Sequence, residues 1–520
     1  MKSRKDRKGN SANRIRAAQV TAQESAIPEK GSVTHRKFLL IVALITAAAA
    51  VVRCSGLFGD LWLDEIWAIV TVRHFHSPLE ILTTRHEINH PLYSLFLYLL
   101  GSSQPPWLYR FPSLLAGVAS VGLAGLIGRL QWRALDGGQS TTAAATAGVV
   151  TAILAAGSYI LIHYSSEARG YSFAVCLGFL AWYALLRGSC ARHIGWILTY
   201  VVAVSLAVTA HATAAIVVAA GTVWTILTSW IASRSWTRTI RATAEWHAAP
   251  LVIAGLYYRF FLNQRVIGGA DENPLAGVIA ECATYTLGLP VGKASMLVLA
   301  FAVLIFTVSM IAIGRKGIPI AAFYVTAVVI APSLLMIVAH YQYPYPRHFI
   351  VSAAFGVLAL GVPLTRGVSA ASPWRLISSA AIVAFLVGAS LHVAGLIQFG
   401  RGEYSRALSF MAAMTPTPYM TIASDHDFRN PMVISYYSPI MKPSLAMRYF
   451  AQDAPASWPT GGVQWFLVHT FDSDPNPLPQ IRDGNGHSYR FSRLFRYGGL
   501  SGWSWIVYEN STPLAQCGLQ

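Results

Sequence analysis

Charge, acid and cysteine are all scarce in this chain. Lys, Arg, Asp and Glu make up 12% of its 520 residues, about half the roughly 25% usual in soluble domains. With 54% of residues hydrophobic, that deficit excludes an ordinary soluble globule and points to lipid-facing helices. Acidic residues number 22 against 39 Lys and Arg, a formal net charge of +17. The basic excess is not gathered into a face for nucleic acid. Residues 1–37 hold ten Lys/Arg against three Asp/Glu, and most other basic residues fall in short loops between apolar runs. The five cysteines, Cys54, Cys176, Cys190, Cys282 and Cys517, show no CxxC or other metal spacing. That argues against a thiolate metal centre and a disulfide framework. No Gly-rich phosphate loop occurs, so a nucleotide-sugar site is not expected. No internal repeat of fixed period is visible.

What the chain has is apolar length. Residues 1–36 are polar and basic and read as a disordered cytoplasmic tail. The run 38–53 reads as an uncleaved first helix rather than a signal peptide, because many spans follow it. Further runs lie near 111–130, 141–162, 171–187, 194–210, 212–231, 246–262, 294–313, 318–339, 348–364 and 375–397, which with the first gives about eleven spans. Each is near the ~20 residues a bilayer needs. With the N-terminus inside, the even loops carry Arg129 and Arg133; Arg187 and Arg192; Arg234, Arg238 and Arg241; Arg315 and Lys316; Arg366 and Arg375. All then lie in the cytoplasm, as the positive-inside rule requires. The run Pro91–Leu100 would invert every later loop if it crossed, so it reads as an interfacial helix along the outer leaflet.

Residues 400–520 differ in kind. Strand-like runs at 419–423, 432–437, 465–469, 489–495 and 504–508 alternate with Pro, Gly, Asp and Asn turns. The expected organisation is a tail (1–36), a transmembrane domain (37–399, first external loop about 54–109) and an extracytoplasmic α/β domain (400–520). The protein is placed in an inner or plasma membrane.

Polar residues that resist a bland explanation fall on the outer side. Asp64 and Glu65 stand between Leu63 and Ile66 just past the first span. A carboxylate among apolar neighbours can gain a raised pKa suited to general-base work; the simpler reading is an acidic helix start. Arg85, His86, Glu87, Asn89 and His90 follow in the same loop. A divalent cation, magnesium or manganese, held by Asp64, His86, Glu87 and His90 stays open beside a water-exposed polar turn. The loop of Glu167 and Arg169, closed by Tyr171, is too short to leave the membrane surface. An interhelical ion pair explains it, and so does phosphate recognition by the planar guanidinium. Arg110, His211, and Arg347 with His348 reach the same side.

The order of LDE, HPLYSLFLYLLG, YRFPSLLAG, SSEARGY and PYPRHF resembles the GT-C fold glycosyltransferases. It is most similar to the protein mannosyltransferase and aminoarabinose transferase group, glycosyltransferase family 39 and its bacterial relatives, over roughly residues 38–365. The resemblance implies a donor sugar on a polyprenyl phosphate and an acceptor hydroxyl on a protein, lipid or glycan. It gives Asp64 the role of general base, with Glu65 its neighbour. Arg169, Arg347 and Arg110 fall to the donor phosphate; Glu167, His90, Tyr171 and His348 lie near the substrate or a metal. The sequence departs in having His90-Pro91 where many relatives have a Pro-Pro pair, and in lacking a clear second Asp-x-Asp motif. A transporter or flippase of a lipid-linked or small polar substrate is the alternative. It would favour charge at mid-bilayer and an inverted repeat, and the apolar runs are nearly free of charge at their centres.

Overall fold

The computed structural model describes residues 33–83, 90–101, 103–190, 193–264, 273–289, 296–338, 344–441 and 445–511. The chain is a multi-pass helical membrane protein with a small mixed-sheet domain near its C-terminus. Residues 1–32 of the expected tail, Arg192, Cys517 and the segment holding Arg85, His86, Glu87 and Asn89 lie outside the described residues, while residues 33–36, expected as the end of that tail, already belong to the first helix.

The helices run α1 (Val33–Cys54), α2 (Leu63–Val72), α3 (Pro91–Leu100), α4 (Pro106–Asp136), α5 (Thr141–Gly157), α6 (Tyr159–Tyr164), α7 (Tyr171–Cys190), α8 (Ile194–Ala210) and α9 (Ala215–Ser233). They continue through α10 (Trp236–Phe260), α11 (Leu275–Leu287), α12 (Met296–Gly314), α13 (Ile318–Val325), α14 (Ala331–Val338), α15 (Ile350–Val368), α16 (Trp374–Phe399), α17 (Tyr404–Met414) and α18 (Arg429–Met441). Among the described residues, eight helices are long and apolar enough to cross a membrane. They account for eight of the eleven expected spans. The other three correspond to α5 with α6, to α8, which like α5 has 17 residues, and to the charged, 25-residue α10. The span expected at 141–162 is broken at Ser158, whose ψ of 116° is extended. Helix α3 has ten residues, a length of about 15 Å, half of a bilayer core.

The chain divides into two compact units. The first comprises residues to Cys54, Leu79–Leu95 and Arg110–Ser390. Its packing is aromatic: Trp182 stacks on Phe323 at 3.7 Å, Phe323 meets Phe355 at 5.3 Å, and Trp182 meets Trp224 edge-on. All but Trp224 are fully sealed. His247 ties three helices together, 2.8 Å from the Tyr200 hydroxyl and 2.8 Å from Thr225 Oγ1, the polar glue expected where lipid gives no hydrophobic drive. The buried Arg53 donates to the carbonyls of Ala155 at 2.9 Å and Ala156 at 3.1 Å. A cation on the orphan carbonyls of a C-terminal turn suits both hydrogen bonding and the helix dipole, and it accounts for the clean end of α5.

The second unit comprises Ser55–Pro78, Phe96–Tyr109 and the chain from Leu391. Its six strands are β1 (Tyr419–Ser424), β2 (Ala446–Tyr449), β3 (Trp465–Thr470), β4 (Gln480–Arg482), β5 (Ser488–Phe495) and β6 (Ser504–Asn510), in the order β2-β1-β3-β6-β5-β4. Strand β1 pairs in parallel with β2 and β3, and the remaining pairs are antiparallel. The strand expected at 432–437 is instead helix α18. Arg429, Asn430, Val433, Ile434 and Tyr437 are its buried residues; counted from Asn430, the next three follow at a spacing of three, four and seven that only a helix puts on one face. Strands β2 and β4 are short and were not anticipated.

Candidate functional site

In the first unit the site grows from the turn between α6 and α7. The hydroxyls of Ser165 and Ser166 donate back to the carbonyls of Ile162 and His163 at 2.8 and 2.9 Å. Ser172 Oγ donates to Tyr164 O at 2.8 Å. Ser113 Oγ on α4 donates to Arg169 O at 3.0 Å, so a neighbouring helix fixes the arginine's backbone. Glu167 is fully buried, with Oε2 3.9 Å from His163 Nε2. Gly170 allows a close backbone approach: a Cβ there would lie 2.1 Å from Ala210 O.

That approach assembles a nest of rings. His90 stacks on His211 at 5.0 Å, meets Tyr171 edge-on at 4.8 Å, and Tyr171 lies 5.1 Å from His211. His90 Nδ1 sits 3.0 Å from Ala210 O. A carbonyl can only accept, so Nδ1 carries the proton. His211 has the opposite tautomer, because its Nδ1 accepts from the backbone N–H of Thr213. The guanidinium of Arg169 lies 5.4 Å from the centre of Tyr171's ring, and that of Arg347 lies 4.3 Å from Tyr345's. Burial holds the His90 pKa well below the usual imidazole range, and the charges of Arg169 and Arg347 push the same way. Burial first and the same two arginines second push His211 down to about 3. Both rings are therefore neutral at physiological pH, and the positive charge of the site belongs to the arginines. His348 is reached by Arg347, His211 and Arg169 as well, and its Nδ1 accepts from Tyr345 N at 3.0 Å.

The acidic pair belongs to the second unit. Helix α2 starts at Leu63, and the buried Glu65 carboxylate accepts from the Trp62 backbone N–H at 3.2 Å. Glu65 thus closes its own helix, as a carboxylate at the third helical position does in a capping box. Asp64 is half-buried in the same turn. The strand of chain before it is pinned from the C-terminal part of the unit. Tyr437 OH donates to Leu61 O at 3.1 Å and accepts from Leu61 N at 2.6 Å, and Asp60 Oδ2 accepts from Ser405 N at 2.6 Å.

The expected residues therefore fall into two sets. Arg169, Tyr171, His90, Arg347 and His348 gather around the ring nest, with Glu167 two residues from Arg169. Arg110 is fully buried near the start of α4. Asp64 and Glu65 form the other set. His86 and Glu87 lie outside the described residues, and among those described no group of three His, Cys, Asp or Glu could hold a metal ion. His211 was not counted among the expected site residues. Its signal was present: a histidine at the break between two alanine-rich helices, at the same end as Arg169.

No protein-family model matches the sequence, and no curated protein matches it. Solved structures do. The fold is similar to that of ArnT from Cupriavidus metallidurans in the apo state, at 13% identity over 92% of this chain and 99% of that one, with a TM-score of 0.46. The form bound to undecaprenyl phosphate matches over the same shares at 14% identity and a TM-score of 0.46. An Archaeoglobus fulgidus oligosaccharyltransferase tethered with an acceptor peptide matches over 82% of this chain and 68% of that one, at 11% identity and a TM-score of 0.45. These neighbours are GT-C fold membrane glycosyltransferases, the group that the sequence motifs resemble. At such identity the likeness is one of fold and says nothing of substrate.

Proposed function

We propose that the protein is a membrane glycosyltransferase that moves a monosaccharide from a polyprenyl phosphate to an acceptor hydroxyl on the extracytoplasmic side. One observation carries the reading. Two guanidinium groups bear on one pair of buried imidazoles that burial and those same arginines hold neutral. Such a site is cationic through groups that do not lose their charge, and it presents planar donors suited to phosphate oxygens. A polyprenyl phosphate carries such a phosphate as its headgroup.

The motif resemblance gives Asp64 the base role, and the chemistry follows. The acceptor oxygen attacks the anomeric carbon as its proton passes to the Asp64 carboxylate. The bond from that carbon to the phosphate oxygen breaks, and the lipid phosphate leaves with the electron pair. Arg169 and Arg347 stabilise the charge that develops on it. One displacement inverts the anomeric centre. Glu65 holds the first turn of α2 and so orients Asp64.

Transfer of radiolabelled sugar from a panel of polyprenyl-phosphate monosaccharides tests this in membranes that contain the protein. One donor should give signal, and Asp64→Asn at equal protein level should remove it, a loss of at least about 100-fold for a general base. Full activity in that variant would remove Asp64 from the mechanism. Consumption of no donor would return the molecule to the transporter reading.

A further inference from the structure

Resting on the reading of the ring nest as a phosphate-linked sugar site, we propose that His90 Nε2 is its hydroxyl-binding atom. It accepts a hydrogen bond from a substrate hydroxyl held beside Arg169 and Arg347. The tautomer comes first: Nδ1 is committed to Ala210 O at 3.0 Å, so Nε2 bears a lone pair. The ring cannot turn away from that orientation. It is 3% exposed, stacked on His211 and met edge-on by Tyr171, with Gly170 against the Nδ1 side.

Nε2 is nevertheless buried with no hydrogen-bond partner among the described residues. Proteins seldom leave a buried polar atom unsatisfied, because the desolvation cost is then uncompensated. The neighbourhood selects the missing partner. It must be a donor, since Nε2 only accepts. It must be neutral, since the charges of Arg169 and Arg347 both reach this ring and repel an ammonium group or a metal ion. A phosphate oxygen has no proton to give. A hydroxyl meets all three conditions, whether of water or of substrate, and a substrate hydroxyl has two sources here: the sugar of the lipid donor, or the acceptor alcohol.

Two amide side chains separate the ring's two nitrogens. In His90→Asn the amide N–H takes the place of Nδ1–H and keeps the bond to Ala210, but nothing occupies the Nε2 position. In His90→Gln an amide oxygen reaches that position. Full-length protein in lipid nanodiscs is tested for binding undecaprenyl phosphate, which has no sugar, and for binding the polyprenyl-phosphate monosaccharide that supports transfer. His90→Asn should weaken the sugar-bearing lipid about tenfold and leave undecaprenyl phosphate unchanged; His90→Gln should restore binding to within about threefold. Unchanged donor binding with an acceptor KM raised about tenfold in His90→Asn, and rescued in His90→Gln, would assign the hydroxyl to the acceptor and uphold the proposal. If Asn matches wild type on every measure, or Gln is as poor as Asn, His90 is a packing residue and the proposal is overturned. If wild type does not bind undecaprenyl phosphate, the phosphate reading fails first and takes this proposal with it.

Discussion

At the scale of single residues, the ring nest depends on a glycine as well as on its charged groups. Gly170 lets the α6–α7 turn come against the end of α8, and a methyl there would sit 2.1 Å from Ala210 O. Since Ala210 O is also the partner of His90, the strain falls on the ring nest itself. Gly170→Ala should cost about 1–3 kcal/mol of stability, as overpacking against backbone does. It should also lower transfer activity by more than the loss of folded protein explains; thermal unfolding in detergent together with initial rates checks both. Sequence reading found Arg169 and Arg347 because charge in short loops between apolar runs is conspicuous. It passed over Gly170, because a glycine's spatial neighbour is not written beside it. It passed over His211 as a site residue for a similar reason: its stacking partner lies over a hundred positions away.

At the scale of elements, helix α18 shows how a local pattern can mislead. The stretch Met432–Tyr437 is rich in β-favouring residues, yet its buried positions fit a helix that packs against α2. Tertiary burial outweighs a β-propensity whose whole range is about 1 kcal/mol. The helix has work to do in the second unit, since Tyr437 OH holds both the N–H and the C=O of Leu61, three residues before Asp64. Tyr437→Phe leaves both of these buried groups without that partner. It should destabilise by about 1–3 kcal/mol and lower kcat several-fold with donor KM nearly unchanged, because it touches the acidic turn and no phosphate-binding residue. An unchanged kcat would show that the turn needs no such support. Glu65 reads similarly: its sequence position beside Asp64 suggests shared catalysis, while its hydrogen bond to the Trp62 N–H assigns it to the helix start.

At the scale of the whole molecule, neutral histidines make stability depend on pH with a definite sign. The folded protein holds His211 near 3, whereas the unfolded chain binds that proton at the ordinary value near 6.5. Between those limits the unfolded state carries more protons, so stability is complete above pH 6.5 and falls as pH drops toward 3. The slope is about 1.4 kcal/mol per pH unit for that ring, and His90 adds to it in the same direction. The apparent unfolding temperature should therefore fall between pH 7 and pH 5, and less steeply in His211→Asn. The same neutrality means that neither ring contributes a protonation limb to activity near neutral pH.

The sequence by itself determined the membrane class, the division into a polytopic part and a C-terminal mixed-sheet part, and the scattered polar motifs. These depend on local composition: apolar length, loop charge and turn residues act where they stand. Only the tertiary structure decided the break at Ser158, the helical state of Met432–Tyr437, the tautomer of His90, and the nest that gathers residues from four separate stretches of chain. Each of these is settled by a partner distant in sequence, whether a capping guanidinium, a buried face, a carbonyl or a second ring.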